Sequence, residues 1–125
     1  MTLRHAACSC GKLAVVVRGE PVRISVCHCL ECQRRTGSAF GAQARFRTAD
    51  VEITGASTAW RRIADSGNAI TSRFCPDCGS TVYYRPKDEA DDVVVTIGAF
   101  ADPCFARPRA ILANSGMIFH DYMDD

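Results

Sequence analysis

Residues 74–80 read Phe-Cys-Pro-Asp-Cys-Gly-Ser, so two residues separate a pair of cysteines and a glycine follows the second one. This spacing is typical of a zinc knuckle, in which two thiolates bind one ion. The glycine tolerates the positive φ that lets the chain turn back and direct its N–H groups toward a thiolate. Thioredoxin-like dithiols share the spacing, but there it begins a helix, whereas the strand-like residues 80–84 follow here. The stretch therefore predicts half of a zinc site.

The other half is predicted near the N-terminus, where the sequence reads Cys8-Ser-Cys10-Gly11. Residues i and i+2 of an extended backbone project to the same side, so Cys8 and Cys10 can bind one ion together. With Cys75 and Cys78 they would complete the four-thiolate, closed set of a structural zinc site. Structural zinc contributes on the order of 10–16 kcal/mol in small zinc-finger peptides, so it would stabilise a domain of short strands.

A second group of cysteines gathers three thiols without a fourth nearby: residues 27–37 read Cys-His-Cys-Leu-Glu-Cys-Gln-Arg-Arg-Thr-Gly. Catalytic zinc typically keeps three protein ligands and leaves the fourth position open for water or substrate. Cys27, Cys29 and Cys32 are therefore interpreted as the ligands of a catalytic zinc.

Two alternatives to an open zinc site remain at this point. Cys104 or, with less reason, His28 would complete a second closed site, although His28 lies between two ligands and its side chain should point away. The three thiols would otherwise serve redox chemistry, as reactive cysteines do in other proteins.

Composition places the chain among ordinary soluble proteins. Its 125 residues are 47% hydrophobic and 23% charged, which suits one domain spanning residues 1–125. The formal net charge of +1 gives no electrostatic footprint for nucleic acid. No apolar stretch is long enough for a signal peptide or a membrane span, so a cytoplasmic protein is expected. There, the eight cysteines favour metal binding over structural disulfides.

Period-two alternation and β-branched residues dominate the rest of the chain and predict a mainly β domain. The predicted strands cover residues 13–17, 22–26, 40–46, 51–53, 70–74, 81–85 and 93–97. A single helical turn is predicted over residues 31–36. Five aromatic residues are expected in the core or at an interface: Phe40, Phe46, Trp60, Phe74 and Phe100.

Three motifs in fixed order resemble a known family. They are Cys-x-Cys-Gly at residues 8–11, Cys-His-Cys-x-x-Cys-x-Arg-x-Thr-Gly-Ser at residues 27–38, and Phe-Cys-Pro-x-Cys-Gly-Ser at residues 74–80. This combination resembles the glutathione-dependent formaldehyde-activating enzyme family, which includes centromere protein V and is similar in fold to Mss4-like zinc proteins. Looser similarity continues through residues 93–98 and 102–103, so the resemblance covers nearly the whole chain.

The resemblance implies an Mss4-like domain of several short, coiled antiparallel sheets stapled by zinc. It also implies two zinc ions per chain, with distinct roles. The structural ion would be bound by Cys8, Cys10, Cys75 and Cys78, and the catalytic ion by Cys27, Cys29 and Cys32. The implied reaction forms or breaks down S-hydroxymethylglutathione, which is the chemistry of a carbon–sulfur lyase.

The C-terminal region departs from the family pattern at two positions. Family members commonly carry a His-Ile pair there, a serine five residues after that histidine, and a tryptophan beyond. Ser115 fits the serine, but Ala110 stands where the histidine would be and Phe119 where the tryptophan would be. These replacements favour an alternative function, a non-catalytic zinc-stabilised binding module of the Mss4-like class.

A zinc ion bound by three thiolates would carry one net negative charge and activate water weakly. It can still bind a substrate thiol and keep it deprotonated. The hypothesis is that a small thiol such as glutathione fills the open position and its sulfur attacks formaldehyde, or that an adduct is released in reverse. Tyr83, Tyr84 and His28 are candidate proton donors for this reaction.

The proposed partner also calls for cations. Glutathione has two carboxylates, and arginine can bind a carboxylate through two hydrogen bonds. Arg34 and Arg35 follow Cys32 after a single intervening residue, so they are the predicted substrate-binding residues. No nucleic-acid or membrane partner is expected, whereas a homodimer is possible.

Overall fold

A computed structural model describes residues 2–88 and 90–105, and most of these residues lie in β-strands or the turns between them. In chain order the elements are β1 (Leu3–Ala7), β2 (Ala14–Arg18), β3 (Arg23–Cys27), α1 (Leu30–Thr36), β4 (Gly41–Arg47), β5 (Val51–Thr54), β6 (Thr58–Ile63), β7 (Ala69–Phe74), β8 (Thr81–Arg85) and β9 (Asp92–Thr96). Short 3-10 turns cover Thr48–Asp50 and Ile97–Phe100. Strand pairing is antiparallel throughout the described residues, which confirms the predicted mainly β fold.

The strands form two sheets that share one core. The three-stranded sheet has the order β1-β2-β5, and the six-stranded sheet has the order β3-β4-β9-β8-β7-β6. Val15 and Val17 of β2 belong to the same buried cluster as Ala44 and Phe46 of β4. Since successive side chains of a strand point to opposite faces, Arg45 projects from the other face of β4, away from this core.

Each of the seven predicted strands overlaps an observed strand, and the predicted helical turn lies within α1. Two strands were missed, β1 and β6, and both lie at the edge of a sheet. The sequence of β6 (Thr-Ala-Trp-Arg-Arg-Ile) does not alternate, because five of its six residues are exposed. Among the described residues, α1 is the only α-helix, and no helix has the length and apolar character needed to cross a membrane.

The turn after β5 depends on a glycine in close contact with the backbone of another segment. Gly55 has φ +96°, and a Cβ at this position would stand 1.9 Å from the carbonyl oxygen of Lys12. Replacing Gly55 by alanine is therefore expected to lower the free energy of unfolding by about 3 kcal/mol, since backbone strain and overpacking each cost about 1–3 kcal/mol. Urea denaturation of the zinc-loaded protein would measure the loss.

The matched control is Gly67→Ala. Gly67 has φ +91°, but no atom lies within 4 Å of the place that an added methyl group would occupy, so alanine there meets the backbone strain without the collision. A loss of about 1 kcal/mol is expected for it. An equal decrease in the free energy of unfolding of the two variants would show that the close approach to Lys12 does not affect stability.

Candidate metal centres and the adjoining cavity

The structure brings together the four cysteines of the first predicted site. The Sγ atoms of Cys8, Cys10, Cys75 and Cys78 all lie within 4.8 Å of one another. Sγ of Cys10 is 3.6 Å from Sγ of both Cys8 and Cys75, which is far longer than a disulfide bond. Zn–S bonds of about 2.3 Å in a tetrahedron place sulfur atoms about 3.8 Å apart. The four thiols therefore fit a single zinc ion.

A turn at a glycine follows each of the two cysteine pairs in this cluster. Gly11 and Gly79 have φ values of +84° and +81°, as the sequence predicted for the glycine after each cysteine pair. The turns also bring backbone donors to the sulfur atoms. The N–H of Leu13 donates to Sγ of Cys8 over 3.2 Å, and the N–H of Asp77 donates to Sγ of Cys75 over 3.4 Å. Donors of this kind surround and orient metal-bound thiolates.

The pKa values of these thiols diverge because the groups are crowded. Backbone N–H groups of Ser80 and Cys10 hold the pKa of the Cys78 thiol at about 5. The N–H of Lys12 lowers the pKa of the Cys10 thiol, but partial desolvation and the neighbouring thiols outweigh it and raise the value to about 11. Adjacent thiols that cannot all ionise together are the expected partners of a cation, which removes their mutual repulsion.

The second predicted group also forms a cluster. The Sγ atoms of Cys27, Cys29 and Cys32 lie within 4.8 Å of one another, and Cys27 and Cys32 are buried. Cys27 ends β3, and Cys29 is the N-cap of α1, where its Sγ accepts the N–H of Cys32 over 3.3 Å. Gly37, with φ +69°, ends the helix about two turns after its N-cap. The end of β3 and the first turn of α1 thus bring the three thiols together.

Within residues 2–88 and 90–105, no fourth histidine, cysteine or carboxylate ligand atom joins this three-thiol cluster. Cys104 is exposed and belongs to neither cluster. The His28 ring centroid lies 5.6 Å from that of Phe40, outside the set of sulfur atoms. Neither residue is thus a member of the three-thiol cluster.

Cys29 and Cys32 line a cavity of about 460 Å³ between α1 and the six-stranded sheet. The strand register sets one wall of this cavity. Arg45 is opposite Val94, Val94 opposite Tyr84, Tyr84 opposite Ser72, and Ser72 opposite Trp60. Since directly opposed residues share a face of a sheet, this row projects on the side away from the core. Arg45, Tyr84, Ser72 and Trp60 all line the cavity.

Arg34 and Arg35, the predicted substrate-binding residues, both line this cavity but differ in their surroundings. Arg34 is exposed and pairs with Glu31 of the same helix over 2.9 Å. Arg35 is half-buried, with its guanidinium carbon 5.6 Å from the centroid of the Tyr84 ring and Nη2 3.5 Å from Oε1 of the buried Gln43. The sequence could not distinguish the two arginines, whereas the fold does.

A glycine makes room for the Arg35 side chain. A Cβ at Gly41 would stand 2.7 Å from Nη2 of Arg35 and 3.4 Å from Cβ of Cys32. Gly41 is the residue opposite Cys27 in the β3–β4 pairing. The absence of a side chain at this position therefore leaves room for the Arg35 guanidinium close to Cys32.

Sequence reasoning did not assign most of the sheet residues of the cavity to a site, among them Arg45, Trp60 and Arg62. Trp60 was expected in the core or at an interface, but it is 62% exposed and is not a core residue. The i, i+2 spacing of Trp60 and Arg62 is a signal that they share a face, but only the register of β6 shows which face it is. Ala110, Ser115 and Phe119 lie outside the described residues.

The fold and the two cysteine clusters together define a class of protein. It is mainly β, with antiparallel sheets and two sulfur-rich clusters able to bind metal, and it is consistent with the Mss4-like fold. A profile described as glutathione-dependent formaldehyde-activating enzyme matches residues 3–118. The chain belongs to this family, which confirms the resemblance drawn from its three motifs.

A solved structure supports the same architecture. A crystal structure of a Rhodobacter sphaeroides protein superposes with a TM-score of 0.62 at 20% sequence identity, covering 84% of this chain and 92% of that chain. At this identity the likeness shows the fold alone. No curated protein matches the chain.

Proposed function

We propose that the protein is a zinc-dependent carbon–sulfur lyase-type enzyme that forms or breaks down S-hydroxymethylglutathione. In this proposal Cys8, Cys10, Cys75 and Cys78 hold a structural zinc ion. Cys27, Cys29 and Cys32 hold a catalytic one. Family membership supports the glutathione and formaldehyde chemistry.

The observation that carries the proposal is the position of the three-thiol cluster at the wall of a cavity. Cys29 and Cys32 line a space of about 460 Å³, within the size range of small-molecule sites. Four arginines line the same space: Arg34, Arg35, Arg45 and Arg62. A thiol bearing carboxylates would find both its reactive partner and its counter-charges there.

Bound by these three thiolates, zinc would supply one open coordination position and favour the deprotonated form of a substrate thiol. The chain's own residues supply orientation. The Arg35 guanidinium, which lies close to Gly41, would attract an anionic thiol toward the cluster, and the Tyr84 ring contributes to holding the guanidinium in place. Attack of the thiolate sulfur on the formaldehyde carbon forms the C–S bond and leaves negative charge on the oxygen.

That oxygen must gain a proton to give the hydroxymethyl product. Of the three candidate donors, Tyr84 lines the cavity, whereas Tyr83 lies in the core cluster and His28 is not among the residues that line the cavity. The phenol Oη of Tyr84 is the proposed donor, and it takes the proton back when the adduct breaks down.

Replacing Tyr84 by phenylalanine is expected to lower kcat about 100-fold with little change in KM, since general acids contribute about 10²–10⁴-fold to rates. The rate of exchange between free and hydroxymethylated glutathione, followed by NMR, would measure this. Tyr83→Phe is the matched control, because it removes the same hydroxyl from the neighbouring core position. A comparable loss in both variants would contradict the proposed role of Tyr84.

The proposed activity has a direct test with zinc-loaded wild-type protein. Added protein should accelerate the interconversion of glutathione, formaldehyde and S-hydroxymethylglutathione. Millimolar glutathione alone should raise the melting temperature, because a ligand that binds only the folded state stabilises it. If neither effect appears with both clusters loaded, the enzymatic proposal is wrong and the zinc-stabilised binding module is the better description.

A further inference from the structure

β6 carries one side chain that departs from the pattern of its strand. Five residues of β6 are exposed, as suits an edge strand, but Arg62 is half-buried. Its side chain lines the cavity beside the three-thiol cluster, as does that of Trp60 two residues earlier. Partial burial removes water from the Arg62 guanidinium, which costs free energy. A negatively charged partner would offset that cost.

Two of the other three cavity arginines already pair with a carboxylate. Arg34 pairs with Glu31 over 2.9 Å, and Arg45 pairs with Asp92 over 3.3 Å. Arg35 contacts the Gln43 amide and the Tyr84 ring, which are both neutral. Within the described residues, Arg62 makes no ion pair with a carboxylate.

Glu31 also lines the cavity, but it pairs with Arg34, so within the described residues two cavity arginines, Arg35 and Arg62, make no ion pair with a carboxylate. Arg35 extends from α1, next to Cys32, and Arg62 extends from β6 on the sheet wall. They come from different elements that line one cavity. A single ligand that balances both charges would carry two negative groups.

We infer that Arg62 is a specificity-determining residue that binds a carboxylate of the substrate, so that the cavity selects thiols carrying two carboxylates over neutral thiols. This inference rests on the proposed function, because it takes the ligand's sulfur to bind at the three-thiol cluster. Trp60 adds an apolar wall beside Arg62. An exposed tryptophan at the wall of a cavity suits contact with the uncharged part of an extended ligand.

The test compares wild type and Arg62→Gln, each with two ligands. Binding is measured by calorimetric titration of the zinc-loaded protein. The ligands are glutathione and its diethyl ester, which keeps the thiol but has neither carboxylate. Arg62→Gln should bind glutathione about tenfold more weakly than wild type, as expected for loss of a charged hydrogen bond, and should bind the diester almost unchanged. Arg62→Lys should recover part of the loss, since it restores the charge without the planar fork.

Arg61→Gln is the matched control. Arg61 is the adjacent residue on the opposite face of β6, where it pairs with Asp88 over 2.9 Å, and its loss changes the net charge by the same amount. Its glutathione affinity should stay within twofold of wild type. Melting curves of both variants would show whether folding is intact.

The outcomes separate the inference from the function on which it rests. If wild type binds glutathione but Arg62→Gln and Arg61→Gln lose affinity equally, or Arg62→Gln loses as much for the diester, the inference is overturned and the proposed function stands. If wild type binds glutathione and its diester equally, selection for carboxylates is overturned as well. If wild type binds neither thiol, the proposed function itself fails.

Discussion

Replacing Cys75 by serine is expected to prevent the protein from folding under native conditions. Cys75 is 1% exposed and belongs to the four-thiol cluster that joins the turn after β1 to the turn before β8. Structural zinc supplies on the order of 10–16 kcal/mol in small zinc-finger peptides, which is comparable to the roughly 5–15 kcal/mol by which a whole domain is stable. Circular dichroism and metal analysis of the purified variant would show a loss of both sheet structure and zinc.

Cys104→Ser is the control for this experiment. Cys104 is an exposed thiol outside both clusters, so its removal should change neither the melting temperature nor the zinc content. A Cys75→Ser protein that melts like wild type would mean that the four-thiol cluster is not a structural metal site.

Replacing Cys29 by serine is expected to abolish activity while leaving a folded protein that has lost one of two zinc ions. The remaining two thiols, Cys27 and Cys32, are too few to retain a catalytic ion. Serine suits the position structurally, because Cys29 is the N-cap of α1 and its sulfur accepts the N–H of Cys32, a role in which serine is favoured. Catalytic rate, zinc content and melting temperature, measured on the same preparation, would test each part of this expectation.

The contrast between the two cysteine variants tests whether one cluster is structural and the other catalytic. Cys29→Ser should keep most of the wild-type melting temperature, whereas Cys75→Ser should not reach a folded state. If Cys29→Ser unfolds as completely as Cys75→Ser, both clusters are structural and the enzymatic proposal loses its open metal position. If Cys29→Ser retains full activity, the reaction does not depend on the three-thiol cluster.

The membership of each cluster could be predicted from the sequence, because short-range spacing constrains where sulfur atoms can go. Cys8 and Cys10 share one side of an extended segment, and Cys75 and Cys78 flank one tight turn. These local rules supplied the two pairs, the preference of structural zinc for four thiolates joined one pair to the other, and the family resemblance implied the same grouping. The structure then brought the four sulfur atoms within 4.8 Å of one another.

The opposite wall of the cavity could not be predicted in the same way. β6 has no alternating pattern, since most of its residues face solvent, and a strand without a buried face leaves little trace in its sequence. Trp60 was therefore assigned to the core or an interface, and Arg62 was not identified at all. Both acquire their place through pairing with β7, which puts Trp60 opposite Ser72 and Arg62 opposite Ile70.

The sequence by itself determined the mainly β class, the two sets of thiols and the helical turn that carries Cys32, because each of these depends on residues close together in the chain. Only the tertiary structure decided which arginines line the cavity next to the three-thiol cluster and which of them pair with a carboxylate. That distinction depends on register across a six-stranded sheet, in which a shift of one residue would send every side chain of a strand to the other face.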